Sequence, residues 1–220
     1  MSKIRLLYSK TGKAKFISHL DFMATMRRAL LRAGIELKYS QGFNPHPYMS
    51  VALPLPVGFS GVCELIDVGI EADAAPNGLA DLVNRCLPEG IEIIEAYVSE
   101  RKFNCIAWVA VKGLLYYDSG TPPNTVGQLT KLFANKSIVI SKKTKRGVSD
   151  IDIAPFIKEV YIDNDWDTKI SMKAKVSAQD PSITPENLMG ALGGSYETLI
   201  PDFYDFTRTA IFDKDMYLFR

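Results

Sequence analysis

Cysteine and histidine are both scarce: the 220 residues hold three Cys and two His. Cys63, Cys86 and Cys105 are widely separated and odd in number. They form no disulfide framework and no CxxC-type metal or redox motif, and they read as reduced thiols. His19 and His46 stand far apart, with Asp21 and Asn44 as their nearest polar neighbours, a spacing that matches no compact metal site. No metal and no cofactor is therefore expected. There is no GxSxG turn, no P-loop and no dinucleotide-binding glycine motif, so nucleophilic and phosphate-loop enzymes lack a signature here. No apolar run approaches the roughly 18 residues of a membrane span. The N-terminal MSKIRLLYSK begins directly as strand, which sets the expectation of a mature, cytoplasmic protein.

Net charge is also low, with 26 bases against 25 acids. The balance is local rather than uniform. Residues 1–60 carry nine Lys/Arg and two acids, whereas residues 61–100 carry nine acids and only Arg85. A basic stretch beside an acidic one implies either an anionic ligand for the first or an internal match between the two.

Periodicity gives an α+β chain. Lys3–Ser9 reads as a strand in which Leu7 spoils strict alternation, and the Thr11-Gly12-Lys13 turn leaves Lys10, Lys13 and Lys15 exposed. Ser18 is placed to cap a helix with Asp21 in its first turn. Leu20, Met23, Met26, Leu30 and Ala33 form its apolar stripe, and Gly34 is its stop. Thr25, Arg28 and Arg32 lie on another face as a short basic stripe. Ile35–Tyr39, Ser50–Leu55, Val62–Ile70 and Ile91–Val98 read as strands, and Pro76–Leu87 as a helix capped by Asn77. The order over residues 1–98 is close to a split βαβ, or ferredoxin-like, arrangement with one extra strand.

The second half reads as a looser copy. It has a strand at Ile106–Tyr116, a helix at Thr125–Ala134, and short strands at 137–141, 148–153 and 157–161. Lys169–Ser177 alternates apolar residues against Lys169, Lys173 and Lys175, the pattern of an edge strand. Thr184-Pro185 opens a second helix, and strands at Phe206–Ile211 and Met216–Phe219 close the chain. The expected architecture is two ferredoxin-like domains in tandem, residues 1–100 and 101–220, each an antiparallel sheet with helices on one face.

The stretch Ser40-Gln41-Gly42-Phe43-Asn44-Pro45-His46-Pro47-Tyr48 is longer than an ordinary strand connection. Two prolines stiffen it, and it offers an aromatic ring, an amide and an imidazole, the groups that recognise a base or a peptide. A self-packed loop with Phe43 tucked inward is the structural alternative. Lys142-Lys143-Thr144-Lys145-Arg146 adds a basic turn that, with Arg28, Arg32 and the N-terminal lysines, would suit a phosphate backbone. Tyr39, Phe43 and Tyr48 could stack on bases. The residues singled out for ligand or RNA contact are His19, Arg28, Arg32, Tyr39, Gln41, Phe43, Asn44, His46, Lys145 and Arg146. His46 is the one candidate for general acid–base chemistry.

At SHLD, RRALLRAG, YSQGFNPHP and LPLPVG the chain resembles the bacterial radical-SAM-linked protein family. Further similarity lies at Lys145-Arg146-Gly147 with Asp150 and Asp152, at Thr184-Pro185-Glu186 and at Thr207-Arg208-Thr209. Members occur alone or fused behind a radical-SAM enzyme domain. The resemblance implies an accessory protein with a radical-SAM enzyme as partner, acting on RNA or on translation components. The chain lacks the iron–sulfur cysteine motif, so radical chemistry would belong to that partner. Three readings follow: an RNA-binding accessory protein without catalytic activity of its own, an RNA-cleaving or RNA-modifying enzyme using His46, and an adaptor that docks the radical-SAM partner.

Overall fold

Strand β1 (Lys3–Lys10) is buried along almost its whole length, and on both of its faces. The computed structural model describes residues 3–71, 76–144 and 147–220. They gather into two units, Met1–Cys105 with Arg220, and Ile106–Phe219.

In the first unit β1 pairs antiparallel with β3 (Ser60–Gly69) on one side and with β4 (Ile91–Val98) on the other, and β2 (Met49–Val51) pairs with β3. The strand order is therefore β4-β1-β3-β2. Alternation decides the faces. Ile4, Leu6 and Tyr8 join Ile66, Val68, Ile91 and Ile93 in one core, which helices α1 (His19–Arg32) and α2 (Leu79–Asn84) close with Phe22, Met26, Leu30, Leu79 and Val83.

Ser18 caps α1 as its sequence position implies: its Oγ accepts from the Asp21 N–H at 3.2 Å and donates to Asp21 Oδ2 at 2.7 Å. At the other end Gly34 takes φ 76° and the Ile35 N–H reaches the Leu30 carbonyl, a glycine-terminated stop. The buried stripe is Phe22, Met26, Ala29 and Leu30, not the one starting at Leu20, which is 78% exposed. Stacking of Phe22 on Tyr8, 4.8 Å between centroids, sets the rotation of the helix.

Two strands come out shorter than periodicity suggests. Ile35–Tyr39 supplies only the bridges Leu37↔Ile70 and Tyr39↔Pro47. Strand β2 stops at Val51, ahead of Pro54 and Pro56, which have no N–H to pair. Helix α2 starts after Gly78 at φ 78°, not from an Asn77 cap.

The second unit places β5 (Ile106–Tyr116) between β9 (Lys169–Ser177) and β10 (Phe203–Asp213), with β8 (Ile157–Trp166) beyond β9, every pairing antiparallel. The order β10-β5-β9-β8 repeats that of the first unit. Helix α3 (Thr125–Phe133) packs on β8. Strands β6 (Val139–Thr144) and β7 (Gly147–Asp152) form a separate hairpin between them in sequence. Helix α4 (Pro185–Gly190) opens with the Thr184 cap and a reciprocal Asn187 hydrogen bond.

Strand β9 is internal, so its lysines do not mark an edge. Their alternation with Ile170, Met172, Ala174 and Val176 instead separates a buried face from an open one. Among the described residues no helix is long and apolar enough to cross a membrane.

Asn84 at the end of α2 clamps β4 where the β1–β4 register shifts. Its amide donates to the Ile93 carbonyl at 2.9 Å and accepts from the Ile93 N–H at 2.7 Å. Asn84→Ala strands both backbone groups, and chemical denaturation should show a loss of about 1–3 kcal/mol.

Candidate functional site

The loop 40–48 is closed at its neck by paired backbone. The Ser40 N–H donates to the His46 carbonyl at 2.8 Å, and the His46 N–H donates back to Ser40 Oγ at 3.0 Å. Below this, Tyr48 N–H bonds the Lys38 carbonyl, Lys38 N–H the Gly69 carbonyl, and Gly69 N–H the Tyr48 carbonyl, all within 3.0 Å. Gly42 adopts φ 123°, which a side chain would strain. The neck thus holds both loop ends to β3, and residues Gln41–His46 project as one exposed cluster.

Phe43 decides between the two readings of this loop. It is 112% exposed, so the ring is not tucked inward. Gln41, Asn44 and His46 are exposed beside it in sequence, and Tyr39 and Tyr48 are 38% and 43% exposed at the neck. A shallow cavity of 170 Å³ lies at the base of the loop, lined by Lys3, Pro47, Tyr48, Ser50 and Asp67.

Asp67 of that lining is held in an ion pair. Arg5 is 1% exposed, and its Nε and Nη2 donate to the Asp67 carboxylate at 2.7 and 3.0 Å. Nη2 also donates to the Arg101 carbonyl at 2.8 Å, and the guanidinium lies 4.4 Å from the Phe103 ring centroid. Arg5 and Asp67 are direct cross-strand partners, and Ser50 faces Asp67 from β2.

Helix α1 carries the other predicted residues at its two ends. Arg28 and Arg32 are exposed one turn apart. His19 opens the helix, about 20 Å along the axis from Arg32 at 1.5 Å per residue, so it is not part of the basic stripe. It lines a narrow cleft with Tyr8, Lys10, Phe22, Val51 and Pro54. His46 belongs to neither this cleft nor the cavity under the loop. Lys145 and Arg146 lie outside the described residues. Nearby Lys142 donates to the Ser182 carbonyl at 2.8 Å.

Lys10 is not on the surface as its turn-side position suggests. It is 3% exposed and donates to the Ile17 carbonyl at 2.7 Å. Burial pushes its pKa down while the charge of Glu64, itself buried, opposes this. A Cβ at Gly61 would meet the Glu64 carboxylate, so a side chain there would have to displace it. Parity could have found this lysine: Ile4, Leu6, Tyr8 and Lys10 all fall on the inward side of β1. Among the described residues no group of three or more His, Cys, Asp or Glu is arranged to hold a metal.

The fold and site together define an α+β protein with antiparallel sheets, few helices and an exposed loop whose neck is hydrogen-bonded to β3. The chain belongs to the family described as "Uncharacterized protein conserved in bacteria (DUF2344)", whose model matches residues 3–185. No curated protein matches it significantly. Among solved structures it is similar to a chain of a Cbf5-Nop10-Gar1 complex, with 12% identity over 94% of this chain and a TM-score of 0.52. It is also similar to a chain of an H/ACA RNP bound to a substrate RNA containing 2'-deoxyuridine, at 11% identity, 94% coverage and a TM-score of 0.46. The chain spans about half the length of these, 48% and 46%. At such identity the first likeness is one of fold.

Breaking the ion pair on one side should be costly. Asp67→Ala leaves a buried guanidinium without its carboxylate, and a loss of about 3–5 kcal/mol in denaturant unfolding is expected.

Proposed function

We propose that the protein is an accessory RNA-binding module whose recognition element is the loop Gln41–His46. The observation that carries this reading is the full exposure of Phe43 on a loop held at both ends. An unburied ring on a fixed backbone costs little ordering on binding and offers a stacking face, with the Asn44 amide and His46 imidazole as hydrogen-bonding groups. Arg28 and Arg32 supply phosphate contacts from α1, and Tyr39 and Gln41 complete the loop surface. Each of the two units has the strand order of a split βαβ fold, and we read them as ferredoxin-like domains in tandem, the second with an inserted hairpin. The fold likeness to a component of a Cbf5-Nop10-Gar1 complex is consistent with work inside an assembly.

The similarity of SHLD, YSQGFNPHP and LPLPVG to radical-SAM-linked proteins supports a radical-SAM enzyme as the partner beside which this module acts. An exposed Phe43 would equally suit a protein groove, which makes an adaptor the second reading. Catalysis by His46 has less support, because the side chain is exposed and stands outside both the cleft at His19 and the cavity under the loop.

Pull-down from cytoplasm with and without nuclease separates the first two readings. RNA recovered with the protein, and absent with Phe43→Ala, is expected. Capture of the enzyme that survives nuclease but fails with Phe43→Ala would instead establish the adaptor. In mobility-shift titrations Arg28→Glu/Arg32→Glu should weaken RNA binding and lower the salt slope by about 0.7 for each phosphate no longer neutralised. Unchanged affinity and slope would remove α1 from the interface.

A further inference from the structure

The open face of the second unit's sheet has no role in the reading above, yet its composition is not that of an idle surface. Strand register puts Trp108 and Tyr116 of β5 on this face, with Lys112 between them. Across β9 the same face carries Lys169, Ser171, Lys173 and Lys175. Strand β8 adds Tyr161 opposite Lys173 and Trp166 opposite Lys169. Phe203 of β10 stands opposite Tyr116, 5.6 Å between ring centroids. Tyr161, Trp166 and Phe203 are 63%, 68% and 58% exposed.

The lysines are interleaved with the rings rather than set around them. Lys158 Nζ lies 4.5 Å from the Trp108 centroid and Lys169 Nζ 5.3 Å from that of Tyr116. A cavity of 320 Å³ opens among Ala110, Lys112, Glu159, Tyr161, Lys173 and Lys175, within the size range of small-ligand pockets. Glu159 is engaged by Lys175, which holds its carboxyl below the usual range. Asp163, Asp205 and the buried Asp213 are the other acids in these registers among the described residues. Against these stand Lys112, Lys158, Lys169, Lys173 and Lys175.

This composition selects an occupant. The centre of a protein–protein interface is depleted in lysine, whereas here lysine occupies the middle of the sheet. A duplex hides its base faces within its own stack, leaving exposed rings nothing to stack on. A single strand offers both bases for the rings and phosphates for the ammonium groups. We infer that this face is a platform for single-stranded nucleic acid, with bases on Tyr161, Trp166 and Phe203 and phosphates on Lys112 and Lys173.

The inference rests on the reading of the protein as an RNA binder but assigns a second surface, so the two can fail separately. The chain's two tryptophans, Trp108 and Trp166, both lie on this face, and the loop 40–48 has none. The full-length protein is titrated with oligouridine of about twelve nucleotides, following intrinsic tryptophan fluorescence and polarisation of the labelled strand together. Quenching that tracks binding is expected. Trp166→Phe should reduce the quench while retaining the fold, and Tyr161→Ala should weaken binding about tenfold. Lys112→Glu/Lys173→Glu should weaken it further and flatten its salt dependence. Phe43→Ala should leave the quench in place.

Oligodeoxyuridine binding with the same quench supports the platform and marks it as indifferent to the sugar, whereas quenching by RNA alone supports an RNA platform. Duplex RNA binding as tightly as the single strand overturns the inference. Binding without quench, unchanged in the Tyr161 and lysine variants but abolished in Phe43→Ala, also overturns it and leaves the loop reading intact. Absence of any binding overturns both. Circular dichroism and thermal melts of each variant exclude loss of fold as the cause.

Discussion

The Arg5–Asp67 pair is the constraint on which the first unit turns. It joins β1 to β3 at a point where the guanidinium is almost fully buried. A buried bidentate guanidinium–carboxylate pair is only modestly favourable in net terms, because desolvation offsets most of its Coulombic attraction. Its effect is on register. Sliding β1 by one residue against β3 would move Arg5 into the helix-facing core and Leu6 out of it. The Arg101 carbonyl and the Phe103 ring complete the shell, so the chain after β4 is tied back over the same point. Asp67 also lines the cavity beneath the loop, and Ser50 opposite it begins the return of the chain from that loop. The neck of the loop 40–48 is held by the Lys38–Gly69–Tyr48 backbone bonds and the Ser40–His46 pair as well as by its prolines.

Much of this could be read from residues in order, and the failures that concern burial have one cause. Ser18, Asp21 and Gly34 announced α1 correctly, since caps act locally. The rows Ile106–Tyr116 and Lys169–Ser177 were bounded correctly by their alternation. Periodicity names a face, however, and does not say what covers the opposite one. Leu7 looked like a flaw in β1, when it signals a strand buried on both sides. The lysines of β9 looked like an edge, when they line the open face of an internal strand. Leu20 looked like core, until the Tyr8–Phe22 stack rotated the helix. Each of these three errors concerns a partner outside the segment itself, and a single local pattern cannot contain that information. For the same reason Lys10 passed as a surface base.

The loop was legible for the opposite reason. Its length, prolines and polar–aromatic content are local facts, and exposure of Phe43 was the one thing that they left open. The neck hydrogen bond from His46 N–H to Ser40 Oγ needs only six residues of separation. What could not be read was which predicted residues would share a surface. Gln41 to His46 do so by chain continuity. His19, at the far end of α1 from Arg32, does not join the basic stripe.

Electrostatics settles how a chain of net charge +1 can carry basic surfaces. Its basic front and acidic middle admit two uses, an anionic ligand or an internal match, and the fold has room for both. Asp67 and Glu64 from the acidic segment go to Arg5 and Lys10, the two bases of the front segment that are buried. Arg27, Arg28 and Arg32 remain exposed on α1. Net charge therefore understates the field at any one face, because neutralisation occurs in the interior, where it does not reach a ligand. In the second unit the pairing is at the surface instead, with Glu159 answering Lys175 on the open face while Lys112 and Lys173 stay exposed. Screening at physiological ionic strength limits each surface charge to about 8 Å, so the field at any point of the surface is set by the local row of charges and not by the sum over the chain.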